Sequence, residues 1–152
     1  MNTPAKWFGA AILAGVLASA LHAQEMRPDR AVKYRQGVMY AMNIHLGSLS
    51  RMAKGEIPYN KDAAVRSATF VKELAAMPWE GFVPVSHEGG KTKAKADIWK
   101  DKAGFDKLAQ AMQAELPGLL AAAQSGDVAR LKPALGLVSD TCTNCHDKFV
   151  NE

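Results

Sequence analysis

The sequence predicts an all-α protein that folds as an antiparallel four-helix bundle with up-down-up-down connections. Apolar residues recur at the three- and four-residue spacing of a helix face in four separate segments. No segment alternates apolar and polar residues for long enough to form a strand. Most connections between the four segments are short, which places consecutive helices antiparallel. A chain of 152 residues has room for one domain of ordinary size.

The first two predicted helices have clear start and stop signals. The first covers residues 29–53, and Pro28 suits its start. The second follows Asn60, whose side chain can cap the first turn. We expect this helix to end at Met77, because Pro78 lacks the backbone N–H that a continuing helix needs.

The third and fourth helices each contain a proline. The third covers residues 101–124, and its apolar stripe keeps its phase across Pro117, so we expect a kink there and not two helices. Gly126 and Asp127 then provide a stop and a cap. In the fourth helix, Pro133 indicates that the continuous part begins near that residue. Its apolar positions alternate three and four residues apart, as in a bundle seam: Val128, Leu131, Leu135, Val138, Cys142, Cys145 and Phe149.

The connection between the second and third helices, residues 78–100, is long for a compact domain, which is typical of a functional or mobile loop. It carries Lys91, Lys93 and Lys95. These lysines form either a solvated loop surface or a docking patch for an acidic redox partner. We expect His87 in the same loop to face solvent.

The N-terminal residues resemble a signal peptide. Lys6 is followed by an apolar run over residues 7–21, which is short of the ~20 residues that span a bilayer. We predict a signal peptide of residues 1–23, although cleavage after Ala20 and an uncleaved membrane anchor are alternatives. The mature chain, residues 24–152, is then a periplasmic protein without stable membrane insertion. Its positive charge, +4 for the whole chain, is scattered and does not indicate nucleic-acid binding.

The chemistry of the chain is concentrated in residues 142–146, which read Cys-Thr-Asn-Cys-His. This is the attachment signature of c-type haem. On a helix, Cys142 and Cys145 share one face, so both thiols can form thioethers with one porphyrin edge. His146 lies one turn after Cys142 and can provide the axial nitrogen ligand to the iron. The motif therefore predicts one covalently attached haem c inside the bundle.

Three other uses of the cysteines fit less well. A redox-active dithiol belongs to a βαβ setting, which this sequence lacks. A disulfide between Cys142 and Cys145 would leave the histidine unexplained. A zinc site would need two further ligands, and His45 and His87 follow no matching pattern.

At this point the sequence resembles the class II c-type cytochromes, which comprise cytochrome c′ and its relatives. The resemblance covers nearly the whole mature chain and rests on separated matches in the right order. These are residues 31–36 (Ala-Val-Lys-Tyr-Arg-Gln), 78–82 (Pro-Trp-Glu-Gly-Phe), 88–90 (Glu-Gly-Gly), 98–99 (Ile-Trp), 126–127 (Gly-Asp) and the attachment motif.

The resemblance implies a role for each matching residue. Cys142 and Cys145 would be the thioether attachments, and His146 the proximal ligand. Arg35 matches an arginine near the haem propionates, where a guanidinium can donate to a carboxylate. The plainer alternative is a solvated charge on the first helix. The resemblance also implies that Gln36 lies beside the propionate edge. Trp79 would lie against the haem, or it would be an ordinary aromatic residue of the core.

Met39 is the position on which the function depends. In the resembled family, this position faces the open side of the iron. Our preferred interpretation is that Met39 is a flexible apolar plug that leaves the iron five-coordinate and high-spin. The alternative is a low-spin iron with the Met39 sulfur as its sixth ligand, as in pure electron carriers.

The sequence thus predicts a haemoprotein that binds nitric oxide and carbon monoxide, exchanges electrons with redox partner proteins, and is not an enzyme. Family habit and the apolar positions left on the first helix predict a homodimer packed through the first two helices. One departure from the family concerns the proximal side. Members often carry Arg or Lys four residues after the proximal histidine, whereas this chain has Val150 there and Lys148 two residues earlier.

Overall fold

The structure is a computed structural model that describes residues 26–88 and 91–151. The described chain contains five α-helices and a short 3₁₀ helix, Pro78–Gly81. The α-helices are α1 (Pro28–Ala53), α2 (Lys61–Leu74), α3 (Asp97–Lys100), α4 (Lys102–Ser125) and α5 (Val128–Phe149). The long helices α1, α2, α4 and α5 are the four predicted ones, and α1 packs on α2 and α5 while α4 packs on α2 and α5. The predicted all-α four-helix fold is therefore confirmed.

Local capping explains where three of the long helices begin. The Asn60 side chain accepts a hydrogen bond from the backbone N–H of Ala63 at 2.8 Å. Asp101 and Asp127 cap α4 and α5 in the same way. Each cap satisfies a backbone donor that the first helical turn leaves unpaired. Gly126 ends α4 in the left-handed conformation, with φ of 78°, which glycine adopts without steric cost.

Two groups of buried side chains hold the helices together. The main core lies between the four long helices and includes Leu49, Met52, Ala68, Val71, Leu116, Leu119, Leu131 and Val138. A second group, the aromatic cluster, consists of Phe82, Ile98, Phe105 and Phe149. Met39 and Trp79 pack against both groups, so the space between the main core and the aromatic cluster is where the candidate site lies.

Two helix boundaries differ from the prediction by more than one residue. Helix α2 ends at Leu74, because the next residues tighten into a turn in which the Met77 N–H donates to the Leu74 carbonyl at 3.0 Å. Pro78 has no backbone N–H to donate, and it begins the 3₁₀ helix that follows this turn. The expected start of α5 near Pro133 is also wrong. The helix is continuous from Val128, because the Asp127 cap holds its first turn.

Pro117 lies inside a single helix, α4, as predicted. The helix α3 was not predicted, since four residues are too few to show a helical period. No described helix is long and apolar enough to cross a membrane. The predicted signal peptide, residues 1–23, lies outside the described residues.

Candidate functional site

A cavity of about 420 Å³ lies between the main core and the aromatic cluster. Its walls come from α1, the 3₁₀ helix, the long loop, α4 and α5, and most of the side chains are apolar. The structure brings together all seven residues that the sequence singled out for the site. These lining residues are Arg35, Gln36, Met39, Trp79, Cys142, Cys145 and His146.

Helix α5 carries the three residues of the attachment motif to the cavity. The thiols of Cys142 and Cys145 are free and half-buried. Burial raises the pKa of both thiols, and the neighbouring Cys142 raises the pKa of Cys145 further. Both thiols and the His146 side chain line the cavity, although the His146 residue is also exposed at the surface.

Arg35 is the most deeply buried charged residue of the described chain, with 2% of its surface exposed. Nη1 donates to the backbone oxygen of Gly81 at 2.7 Å and to Oγ of Ser86 at 2.6 Å. Nη2 donates to the backbone oxygen of Ser86 at 3.0 Å and to Oγ1 of Thr92 at 3.2 Å. The guanidinium also lies over the Phe82 ring, 4.6 Å from its centroid. Arg35 therefore ties α1 to the long loop, and it is not a solvated surface charge.

The partners of Arg35 are all neutral. Among the described residues no carboxylate lies within 4.0 Å of its guanidinium. Burial lowers the pKa of Arg35, but an arginine remains charged in a protein at any ordinary pH. A buried positive charge without a countercharge is costly. An anionic group of a ligand in this cavity would reduce that cost.

Gln36 and Trp79 occupy different depths of the cavity. Gln36 is exposed, and its Nε2 donates to the backbone oxygen of Lys91 at 2.9 Å, which holds the loop against α1. The Trp79 indole N–H donates to the Ala75 carbonyl at 2.6 Å. Its ring stacks near Phe82, with centroids 6.2 Å apart. Trp79 is thus both a core aromatic residue and a wall of the cavity.

Met39 is half-buried on α1 and lines the cavity. The same helix also contributes Met42, Asn43 and Leu46 to the lining, and α4 contributes Met112. The methionines are flexible and polarisable, so they can adapt to a ligand of irregular shape. No carboxylate, and no histidine apart from His146, lines the cavity within the described ranges.

The proximal departure noted in the sequence has a structural counterpart. Val150 lines the cavity four residues after His146. Lys148 does not line it, because its Nζ lies 2.6 Å from Oδ2 of Asp101 at the start of α4. This ion pair holds the pKa of the Asp101 carboxyl below its usual value, helped by the Gly104 N–H.

Sequence reasoning missed several residues of the long loop. Ser86, which is fully buried, and Thr92 bind Arg35, yet only the length of the loop indicated that it had a function. The expectation that His87 faces solvent is wrong. Its side chain is only 25% exposed and its ring lies 4.8 Å from that of Trp99. The cause is packing between residues twelve positions apart, which no local pattern reveals.

The lining fits haem c as a ligand. A porphyrin is a large apolar ring, and this cavity is large, mostly apolar and has few polar groups. Two thiols and one imidazole on the same wall are the donors that covalent haem attachment uses. The uncompensated guanidinium of Arg35 suits the carboxylates at the edge of a haem.

Comparisons with known proteins identify similar chains. Residues 30–150 match the family described as Cytochrome C′. The chain is 38% identical over 126 residues to cytochrome c′ from Alcaligenes xylosoxydans xylosoxydans, and the match covers 83% of this chain and 97% of that protein. The crystal structure of cytochrome c′ from Rubrivivax gelatinosus is 34% identical. It superposes with a TM-score of 0.79 and covers 84% of this chain and 100% of that one.

A second similar structure was solved with a gas ligand. It is the nitric oxide complex of a mutant of cytochrome c prime from Alcaligenes xylosoxidans, which is 35% identical. The match covers 83% of this chain and 97% of that one, with a TM-score of 0.76.

Proposed function

The chain belongs to the cytochrome c′ family, and from this premise we propose that it is a periplasmic haemoprotein that binds nitric oxide and carbon monoxide and transfers electrons. It would have no catalytic turnover of its own. The observation that carries the proposal is that one mostly apolar cavity is lined by both cysteines of the attachment motif, His146, Arg35 and Met39.

Cys142 and Cys145 would hold one haem c through two thioethers, and His146 would bind the iron on one side. Haem, when bound, supplies an iron that alternates between the ferrous and ferric states and takes up diatomic ligands. The half-buried position of both thiols supports this role, because attachment there leaves the porphyrin within the cavity and not on the surface.

Arg35 would neutralise a haem propionate. The support is electrostatic: its guanidinium is buried, stays charged and has only neutral partners. Its terminal nitrogens are held by the loop, so the charge stays in position before any ligand arrives. Gln36 would contact the propionate edge of the haem as well, because it is the residue after Arg35 and lines the mouth of the cavity.

Met39 would cover the other side of the iron as an apolar plug, leaving five ligands and a high-spin state. The lining supports this assignment, because Met42, Asn43, Leu46 and Met112 carry no charge that would bind an anion. Small uncharged diatomic molecules can pass these side chains, whereas an anion would lose its hydration beside them, since none of them carries a positive charge. The alternative is a low-spin electron carrier in which the Met39 sulfur is the sixth ligand.

The proposal that the protein is not an enzyme rests on the same lining residues of the cavity. Peroxide cleavage uses a positioned acid or base opposite the proximal ligand. The described lining offers no carboxylate and no second histidine for that purpose.

We also propose a homodimer that packs through α1 and α2. Four of the large apolar side chains that are exposed lie on these helices or just after them: Tyr40, Ile44, Phe70 and Met77. Tyr40 and Ile44 lie one turn apart on the same face of α1, and exposed apolar side chains that share a face mark interaction surfaces more often than scattered ones do. The predicted signal peptide of residues 1–23 supports the periplasmic location, where such a dimer would form.

Two measurements test the proposed function. Acid-acetone extraction of the denatured protein should leave the haem on the chain, and release of free haem would refute covalent attachment. The ferric protein should give a high-spin absorption and electron paramagnetic resonance spectrum. A low-spin spectrum with a methionine-to-iron charge-transfer band would replace the gas-binding assignment by the alternative with Met39 ligated.

A further inference from the structure

We propose that four lysines at the mouth of the cavity form a docking surface for an acidic face of an electron-transfer protein. We call this surface the lysine rim, and it consists of Lys33, Lys91, Lys93 and Lys95. The proposal rests on the electron-transfer function proposed above and names the class of partner.

Backbone hydrogen bonds anchor the loop part of the lysine rim. The Lys95 N–H donates to the Phe149 carbonyl at 2.9 Å, and the Asn151 N–H donates to the Lys93 carbonyl at 2.8 Å. Between them, Ala94 and Val150 form an antiparallel bridge. The loop lysines are therefore fixed beside the residues that follow the attachment motif.

The lysine rim also borders the opening of the cavity. Lys93 is exposed and lines the cavity, as does the exposed Gln36. Gln36 binds the Lys91 carbonyl, and the exposed Lys33 lies one turn before Gln36 on α1. A partner seated on the lysine rim would thus approach the part of the cavity that is open to the surface.

Three of the lysines, Lys33, Lys91 and Lys93, are exposed, whereas Lys95 is half-buried and its Nζ donates to the Asp147 backbone carbonyl at 3.3 Å. In the described part of the chain, none of the four lysines of the lysine rim lies within 4.0 Å of a carboxylate. By contrast, Lys100, Lys102 and Lys148 nearby are each paired with an aspartate. Unpaired charges of one sign around an opening raise the local concentration of oppositely charged partners.

An acidic protein fits this surface better than an anionic membrane does. Membrane-binding surfaces combine basic residues with large apolar side chains that enter the lipid. The lysine rim contains none of the exposed large apolar residues, which are Tyr40, Ile44, Phe70, Met77, Val85 and Leu137. Electron exchange also needs the partner's own redox group close to the cavity mouth, which a lipid surface does not supply.

The exchange itself transfers one electron from the ferrous protein to the oxidised partner, which is reduced by one electron. No bond forms or breaks and no proton moves. The lysine rim contributes by raising the encounter rate and by orienting the partner, and these effects weaken as salt screens the charges.

The test uses the haem-loaded protein and a matched pair of charge-reversed variants. The double variant Lys91→Glu/Lys93→Glu replaces two positive charges of the lysine rim by negative ones. The control, Lys61→Glu/Lys132→Glu, changes the net charge equally at the far end of the bundle, where α2 and α5 begin. Both control lysines are exposed and line no part of the cavity.

Binding is measured first, by fluorescence anisotropy of labelled poly-L-glutamate at low salt. We expect the rim variant to bind at least about tenfold more weakly than wild type. The control variant should bind within about twofold of wild type. Equal losses in both variants would overturn the proposal. So would unchanged binding in the rim variant. The wild-type protein is also tested with vesicles of equal parts phosphatidylcholine and phosphatidylglycerol. If it binds these vesicles as tightly as poly-L-glutamate, a membrane is the favoured partner and the proposal is overturned.

Oxidation rates of the ferrous protein are measured second, with two one-electron oxidants of opposite charge. The rim variant should react more slowly with ferricyanide and faster with tris(phenanthroline)cobalt(III), and the control should show neither change. If both oxidants react at unchanged rates in the rim variant, electron transfer stands and the docking surface is refuted. If the wild-type protein carries no haem, the proposed function itself fails.

Discussion

Arg35 on α1 and Ser86 in the long loop share two hydrogen bonds, one to the hydroxyl at 2.6 Å and one to the backbone carbonyl at 3.0 Å. Both residues are almost wholly buried. A single guanidinium thus satisfies polar atoms of a loop that would otherwise be buried without partners. The same side chain closes one wall of the cavity, so stability and ligand binding depend on one residue.

Replacing Arg35 by alanine should destabilise the haem-loaded protein by about 2–4 kcal/mol, because it leaves Gly81 and Ser86 oxygens buried without donors. The stability of Arg35→Lys should lie between that of wild type and that of Arg35→Ala, because an ammonium group lacks the planar arrangement of donors of a guanidinium. Urea unfolding followed by circular dichroism measures the loss. The exposed Arg130→Ala is the control and should stay within about 0.5 kcal/mol. Equal stability of wild type and Arg35→Ala would contradict the structural role.

Substitutions of Met39 should distinguish its role as an apolar plug from a role as the sixth ligand of the iron. Met39→Leu keeps the volume and removes the sulfur, so the ferric spectrum should remain high-spin and unchanged. Met39→Ala opens the wall, and carbon monoxide should bind about tenfold faster, which corresponds to a barrier about 1.4 kcal/mol lower. Flash photolysis measures this rate. A Met39→Leu spectrum that shifts from low-spin to high-spin would show that the sulfur binds the iron.

The proposed dimer gives a matched comparison of two exposed apolar residues. Ile44 on α1 is 53% exposed and Leu137 on α5 is 55% exposed. Ile44→Glu should produce a monomer at micromolar concentration, because a buried carboxylate in the interface would lack a partner. Leu137→Glu should leave the dimer intact. Sedimentation equilibrium checks both, and a wild-type monomer under these conditions would remove the basis of the comparison.

The Asp101 carboxylate should make stability depend on pH. Its pKa is held below the usual value by the hydrogen bond from Lys148 and by the Gly104 N–H. A lowered folded-state pKa means that the stabilisation is present above the ordinary aspartate pKa and is lost as the pH falls through the folded one. Asp101→Asn keeps a capping oxygen but loses the charge.

The variant Asp101→Asn should therefore be less stable than wild type at neutral pH, and the gap should close on acidification. Urea midpoints at several pH values measure it. The exposed Asp140→Asn on α5, which has no ion pair among the described residues, provides the reference. A gap that stays constant down to strongly acidic pH would show that the charge of Asp101 contributes nothing.

The helices could be predicted because their signals are local. Asn60 and Asp127 cap α2 and α5 through residues two or three positions away, and the helical spacing of apolar residues marks the faces that pack. The attachment motif is local too, since one helical turn separates Cys142 from His146. This explains why the residues of the cavity wall on α5 could be named from the sequence alone.

The environment of Arg35 could not be predicted, because its partners are distant in sequence. Gly81 lies 46 residues away and Thr92 lies 57 residues away. The resemblance to a family named Arg35 as a site residue, yet nothing in the pattern of the loop indicated which oxygens would bind it. The end of α2 was misplaced because the residues after Leu74 form a tight turn, and the spacing of apolar residues does not distinguish such a turn from a further helical turn.

The short bridge between Ala94 and Val150 joins two distant parts of the sequence at the opening of the cavity. On either side of it, residues 149–151 form backbone hydrogen bonds with Lys93 and Lys95 of the long loop. Residues 142–146 come just before this bridged segment, so the wall that carries Cys142, Cys145 and His146 can move away from the loop only if these bonds break. The mouth of the cavity is therefore fixed by backbone contacts, which substitution of the lysine side chains leaves in place.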